Sequence, residues 1–374
     1  MKRKSKNLII IGFCIQLLAI SCLRLYNVEE NFSASANTNE NSLYVNLVGE
    51  VDIGVGYKIR IESDRAYVSS NNGIDIINIQ DPTAPSRIGT IEGGMGYDIK
   101  DNIVFSTDED GLVVFDASNA AAPEIIGTSD VGQWAYNVRV NDTLAFAIVN
   151  GDMDIYDISN VNNPVRVGQY TDTGRGNDVI IKGGIAYYAD PDEGLEVINV
   201  TDQTNPEKIR TVSYTYGAWD LYLNDDLLYL GCHGLGFKIL DISNPTLPVV
   251  IKSFNDGGEV YGVCGNSTFI FLGDLQEGAE VLNYTNNSPL VEIASYTATP
   301  HDIEFRGNYL YLADQDNGFL LLELSDTYVE NTNEVSLFFG LIVIPLVGVK
   351  IAFEHREIIR EKNRKTTEME RSCN

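Results

Sequence analysis

From about residue 45 to residue 325 the chain is a succession of short apolar runs, punctuated by Asn, Asp, Gly and Pro. Tyr309-Leu-Tyr-Leu-Ala, Leu112-Val-Val-Phe-Asp and Arg87-Ile-Gly-Thr-Ile are typical. Their β-branched and aromatic content, and their polar boundaries, predict strands. The runs recur in units. Aligned turn positions fall at Gly73, Gly111, Asp152, Gly194, Gly236, Gly278 and Gly318, spaced 38 to 42 residues apart. A Pro follows the third strand of six units, at Pro85, Pro123, Pro164, Pro206, Pro248 and Pro289.

Four strands in a repeat of about 42 residues is the period of a β-propeller blade. Six units are complete, and the seventh stops after its third strand near Ser325. A lone fourth-strand sequence, Asn46-Leu-Val-Gly-Glu-Val-Asp-Ile, stands ahead of the first unit and resembles Arg87-Ile-Gly-Thr-Ile-Glu. It is expected to complete the last blade, which removes two open sheet edges and closes the ring. An open solenoid would leave that strand unexplained. The expected fold is all-β: a seven-bladed β-propeller of four-stranded blades over residues 43–325.

The two ends read differently. Lys2 to Lys6 precede the apolar run Leu8 to Ile20, and small residues follow at Ser33 to Ala36. Residues 1–36 are therefore a signal peptide or an N-terminal anchor with a spacer. Ala19-Ile-Ser-Cys22 loosely resembles a lipidation box. After a short stalk at 326–334, residues 335–353 carry a single charge, Lys350, and predict a transmembrane helix. Seven bases in residues 350–374 then mark a cytoplasmic tail (354–374) by the positive-inside rule. The propeller is expected on the outside of the cell, held by one membrane pass.

The third-strand phrase runs Gly-Leu-x-Val-x-Asp/Asn-x-Ser-x-x-x-x-Pro. It stands at Gly111-Leu-Val-Val-Phe-Asp, Met153-Asp-Ile-Tyr-Asp-Ile, Gly194-Leu-Glu-Val-Ile-Asn and Phe237-Lys-Ile-Leu-Asp-Ile-Ser-Asn-Pro. This pattern resembles the LVIVD-repeat proteins. The resemblance implies a bacterial or archaeal cell-surface propeller and covers roughly 45–325. It is specific for fold and names no site. The seventh unit departs from it, with Glu323 in place of Asp or Asn.

In propellers the first strand of each blade lines the channel. Aligning those strands pairs Tyr57 with Lys58, Tyr97 with Asp98, Tyr136 with Asn137 and Asn177 with Asp178. Trp219 with Asp220, Tyr261 with Gly262 and His301 with Asp302 complete the set. An aromatic ring and an acidic ring are thus expected at one mouth. The ligand candidates are Lys58, Tyr97, Asp98, Tyr136, Asn177, Asp178, Trp219, Asp220, Tyr261, His301 and Asp302. Two readings stand side by side. Each Asp caps its own turn and each aromatic packs on its neighbour. Alternatively, convergent carboxylates bind Ca²⁺ or a cationic ligand, while ring faces add cation–π contact or sugar stacking. Asp108, Asp110, Asp190 and Asp192 form oxygen-rich loops that are candidate Ca²⁺ ligands, although they lack EF-hand spacing. His233 and His301 are a second candidate metal pair, and Cys232 and Cys264 a candidate disulfide or two buried thiols.

Charge narrows the function. The chain has 374 residues and a net charge of −27. Subtracting the flanks' +3 (residues 1–36) and +2 (350–374) leaves −32 on the body. Such a field repels phosphate backbones and argues against nucleic acid as a partner. Gly-x-Ser-x-Gly, His-Glu-x-x-His and phosphate-loop motifs are absent from the sequence. The expected function is therefore binding of an extracellular protein or glycan, an adhesion-type role without catalysis. A metal-assisted hydrolase or lyase at the acidic mouth, and a structural envelope component, are the alternatives.

Overall fold

A computed structural model describes residues 43–107, 111–130, 135–171, 174–284 and 288–326. The N-terminal segment, the apolar segment 335–353, the tail, and the candidates Asp108 and Asp110 lie outside the described residues. Among the described residues no helix is long and apolar enough to cross a membrane.

Seven antiparallel sheets of four strands each form the blades of a propeller. Blades 1 to 6 take residues 56–91, 97–130, 135–170, 178–211, 220–254 and 260–296 in chain order. Blade 7 takes three strands from 300–325 and its outer strand from Tyr44–Val51. That strand pairs with Gly318–Ser325 from Tyr44 opposite Ser325 to Val51 opposite Phe319. The N-terminal strand therefore closes the ring, as its likeness to the other fourth strands predicts.

One irregularity ties this strand to its equivalents. The pairing skips Val48, between Leu47 and Gly49. Outer strands of the other blades skip a residue at the same place: Ile88, Ile126, Val167, Ile209, Ile251 and Ile293. A bulge of this kind bends the outer strand. Gly49 then lies against blade 1, where an added Cβ would come within 2.4 Å of the Pro82 carbonyl oxygen and 2.7 Å of Pro85 Cδ.

The core sits between neighbouring blades. Ile59, Val68 and Ile77 of blade 1 pack with Phe319 and Leu321 of blade 7. Tyr187, Leu195 and Val197 of blade 4 pack with Leu221, Leu228 and Leu240 of blade 5. Each such side chain contributes about 1.5–3 kcal/mol by leaving water. The family phrase also has a local cause. Asn78, Asp116, Asp157, Asn199 and Asp241 end their third strands, and each accepts the N–H two residues on, at 2.8–3.0 Å. This Asx turn aims the chain toward the outer strand. Blade 7 receives its outer strand from the other end of the chain, so the turn is not required at Glu323.

Candidate functional site

Inner strands place their side chains alternately toward the channel and into the blade. Strand pairing sets which residues are equivalent. Lys58 lies opposite Ser69, Asp178 opposite Ala189, Asp220 opposite Gly231 and Asp302 opposite Ala313. Blade 2 is shifted by one from the sequence alignment. Tyr97 lies opposite Ser106 and Asp98 opposite Phe105, while Thr107 pairs with Leu112 just after the turn Gly111. Tyr97 therefore stands level with Ile59 and Val179, and Gly96 holds the mouth position. Tyr97 is fully buried, and its hydroxyl donates to the Tyr67 carbonyl. It is a core residue of the blade 1–2 interface and not part of a mouth ring. Asp98 sits one layer deeper, level with Arg60, Arg139 and Glu304.

The channel holds both signs of charge. Arg139 donates to both carboxylate oxygens of Asp178, at 2.9 and 2.7 Å. Arg60 donates to Asp302 at 3.1 Å and Glu304 at 3.2 Å. Lys58 of blade 1 reaches past Gly96 to the Asn137 side chain of blade 3. Glycine is required at Gly96, because a Cβ there would lie 2.2 Å from the Tyr136 carbonyl oxygen. The expected acidic ring is thus a mixed plug in which Arg60, Arg139 and Lys58 offset the acids.

The same acids join the blades. Asp302 accepts the Ile59 N–H at 3.0 Å, and Asp178 accepts the Leu221 N–H at 3.2 Å. Asp220 accepts the Val263 N–H at 2.9 Å, and the deeper Asp98 accepts the Val140 N–H at 2.7 Å. In each case the acceptor bonds the residue one step further along the next blade's inner strand. Asn177 adds a link, donating to the Trp219 carbonyl at 2.8 Å.

Electrostatics follow from this packing. Burial pushes the Asp178 carboxyl up, but Arg139, Lys58 and Arg60 outweigh it and hold it at about 2. Burial raises Asp220 well above the usual carboxylate range, with Asp302 and Asp178 adding to it. Burial, with Arg60 and Arg139, drives Lys58 down to about 7.

Above the plug the aromatic residues form an arc. Tyr57 and His301 have ring centroids 5.5 Å apart, and His301 and Tyr261 5.4 Å. Tyr261 meets Trp219 edge-on at 4.9 Å and His233 at 5.0 Å. His233 Nε2 and the Tyr261 hydroxyl are 2.9 Å apart. Tyr261 therefore stands between the two histidines and engages both, which accounts for them without a metal. Tyr57, Tyr136, Tyr261 and His301 are each passed over in the pairing of their inner strands, a bulge that frees the side chain from the ladder. Tyr136 is 58% exposed beyond the arc. Further exposed apolar side chains lie in the loops of this face, at Met95, Tyr214, Tyr216 and Leu235.

The other candidates have local partners. Asp190 Oδ1 accepts the N–H groups of Asp192 and Glu193 at 2.6 and 2.7 Å, while its buried Oδ2 has no hydrogen-bond partner among the described residues. Asp192 pairs with Arg175 at 2.9 Å, so a guanidinium already neutralises it. Cys232 and Cys264 are buried free thiols. Sequence reasoning missed Arg60 and Arg139. The signal was present in the alternation Lys58, Arg60, Glu62 along one inner strand.

Comparison with known proteins agrees with this geometry. The LVIVD repeat matches residues 56–92, 135–172, 173–213, 217–256 and 300–327, which are blades 1, 3, 4, 5 and 7. No curated protein matches the chain in sequence. The Cps50 (Swd1) β-propeller domain of Myceliophteria thermophila superposes with a TM-score of 0.62 at 12% identity, covering 75% of this chain and 100% of its own. The WD40 β-propeller domain of Doa1 gives 0.58 at 11%, covering 75% and 97%. The computationally designed Ika8 protein gives 0.56 at 11%, covering 76% and 99%. Identities this low speak to fold alone. With the repeat, the closed ring and the Asx turns in hand, the chain is an LVIVD-repeat β-propeller.

Proposed function

We propose that this chain is an extracellular, membrane-anchored interaction module that binds a protein or glycan on its aromatic mouth. One observation carries the reading: the Tyr57, His301, Tyr261, Trp219 and His233 rings from four blades form a continuous arc on one face. Aromatic faces suit stacking on sugar rings and the apolar anchors of protein partners. A catalytic reading needs uncommitted carboxylates at the mouth. Here Asp302 and Asp178 accept backbone N–H groups of neighbouring blades and pair with Arg60 and Arg139, and Asp220 accepts the Val263 N–H. Membrane anchoring rests on the sequence, on the apolar segment 335–353 and the bases that follow it.

The test is binding of the full chain, displayed on cells, to arrays of glycans and surface proteins. Captured ligand should be lost in Trp219→Ala and Tyr261→Ala. Equal capture by both variants would defeat the aromatic-mouth reading. Protease added to intact cells should release the propeller, whereas a protected propeller would refute the topology.

A further inference from the structure

Third strands repeat a buried charge two residues after the turn. It is Asp75 in blade 1, Asp154 in blade 3, Glu196 in blade 4 and Glu280 in blade 6. In the first three a base on the outer strand answers it. Arg87 lies 3.3 Å from Asp75, Arg166 lies 2.7 Å from Asp154, and Lys208 contacts Glu196. Those bases hold one register position, opposite Ile77, Tyr156 and Ile198. In blade 6 the same position, opposite Leu282, is Glu292. An acid stands where blades 1, 3 and 4 carry a base.

Two further carboxylates converge there. Oxygens of Asp256, Asp274 and Glu280 lie within 4.8 Å of one another. Glu280 is 1% exposed and Asp274 is fully buried. Neither Glu280 oxygen, nor Asp274 Oδ2, accepts a hydrogen bond from an N–H, hydroxyl or base among the described residues, and the polar neighbour of Glu280 is the Asp256 carboxyl. Asp274 Oδ1 is committed to the turn, accepting the N–H groups of Gln276 and Glu277. The equivalent Asp314 of blade 7 differs, because its Oδ2 accepts the Thr299 N–H at 2.6 Å, while the equivalent Asp190 of blade 4 shares the unpartnered Oδ2 but has Glu196 answered by Lys208. Gly258 lets the loop close on the site, since a Cβ there would lie 2.1 Å from Asp274 Oδ2.

The buried Glu280 and Asp274 carboxylates, with the exposed Asp256 carboxylate beside them, are costly to keep charged without a countercharge. We propose that Asp256, Asp274 and Glu280 hold a hard divalent cation, Ca²⁺ in chemical type, in place of the base that blades 1, 3 and 4 use. The donors are all oxygen, which selects Ca²⁺ or Mg²⁺ over softer metals. Asp256 is exposed, so the site opens to solvent and takes water for its remaining ligands. The ion ties the loop at 255–259 to the blade, and that loop leads directly to Tyr261. Without a cation, burial, aided by Asp256, Asp274 and Glu292, pushes the Glu280 carboxyl from its ordinary 4.5 up to about 9.

The test is calorimetric titration and melting of the chelator-treated full chain with Ca²⁺ and, separately, Mg²⁺. At pH 7.5, 1 mM Ca²⁺ should raise the melting temperature by about 3 °C or more. Asp256→Asn should weaken binding about tenfold or more, and Glu280→Gln should abolish the calcium response. No response to either ion at 5 mM, or a response unchanged in both variants, overturns the site. If Glu280→Gln fails to fold, the exposed Asp256→Asn carries the test.

Discussion

The Asp302 carboxylate of blade 7 accepts the backbone N–H of Ile59 in blade 1 at 3.0 Å, across the seam where the ring closes. The same oxygen takes Arg60 at 3.1 Å. One side chain thus satisfies a backbone donor and a buried cation from the neighbouring blade. Asp302→Ala leaves both without it, and removing one partner of a buried pair costs about 3–5 kcal/mol. We expect the urea midpoint of the full chain to fall accordingly. Asp316→Ala, on an exposed loop, should stay within about 0.5 kcal/mol. Equal effects would show that Asp302 is not a joint.

The N-terminal strand should depend on one small residue. Gly49→Val forces side-chain atoms into Pro82 and Pro85 of blade 1. Overpacking of this kind costs about 1–3 kcal/mol. Glu50→Ala, next door and exposed, is the control, and thermal melting of the two variants decides the matter.

The aromatic arc should separate binding from folding. Trp219→Ala and Tyr261→Ala remove rings from a partly exposed surface, so melting should change little while ligand capture falls about tenfold or more. Asp178→Ala should do the reverse, lowering stability through the loss of Arg139's partner. A variant pair behaving oppositely would return the function to the acids.

Stability at low pH should be limited by Asp178. Its carboxyl is held at about 2 in the folded chain against an ordinary 3.8. Such a group stabilises the fold above 3.8, and that stability is lost as pH falls toward 2. Lys58 has the opposite sign. Held near 7 rather than 10.5, it binds its proton less well when folded, so stability should rise between pH 7 and 10.5. Urea midpoints from pH 2 to 10.5 check both. Asp178→Asn should flatten the acid limb and Lys58→Met the alkaline one.

Much of this protein was legible in its sequence because propellers are local. In six of the seven blades the four strands are consecutive, so period, turn glycines and Asx residues mark them without knowledge of distant contacts. Blade count and the closing strand followed from the same arithmetic, since Asn46-Leu-Val-Gly49 repeats the outer-strand phrase that Ile88 and Gly89 carry. The Asp or Asn of the family phrase is likewise a local cap. Register within a strand is different. Tyr97 looked equivalent to Tyr57 until strand pairing placed Gly96 at the mouth and Tyr97 in the core. A one-residue slip changes which face a side chain meets, and only the paired neighbour fixes it.

Charge shows the same division. The sequence by itself determined that the body is acidic, closed into seven blades and fronted by aromatic residues. The tertiary structure decided which acids are neutralised. Asp178 and Asp302 meet Arg139 and Arg60 about 40 and 240 residues away, while Glu280 meets two more acids and no base. Composition counts charges along the chain. Only the approach of the blades around a common axis sets which of them lie close enough to pair.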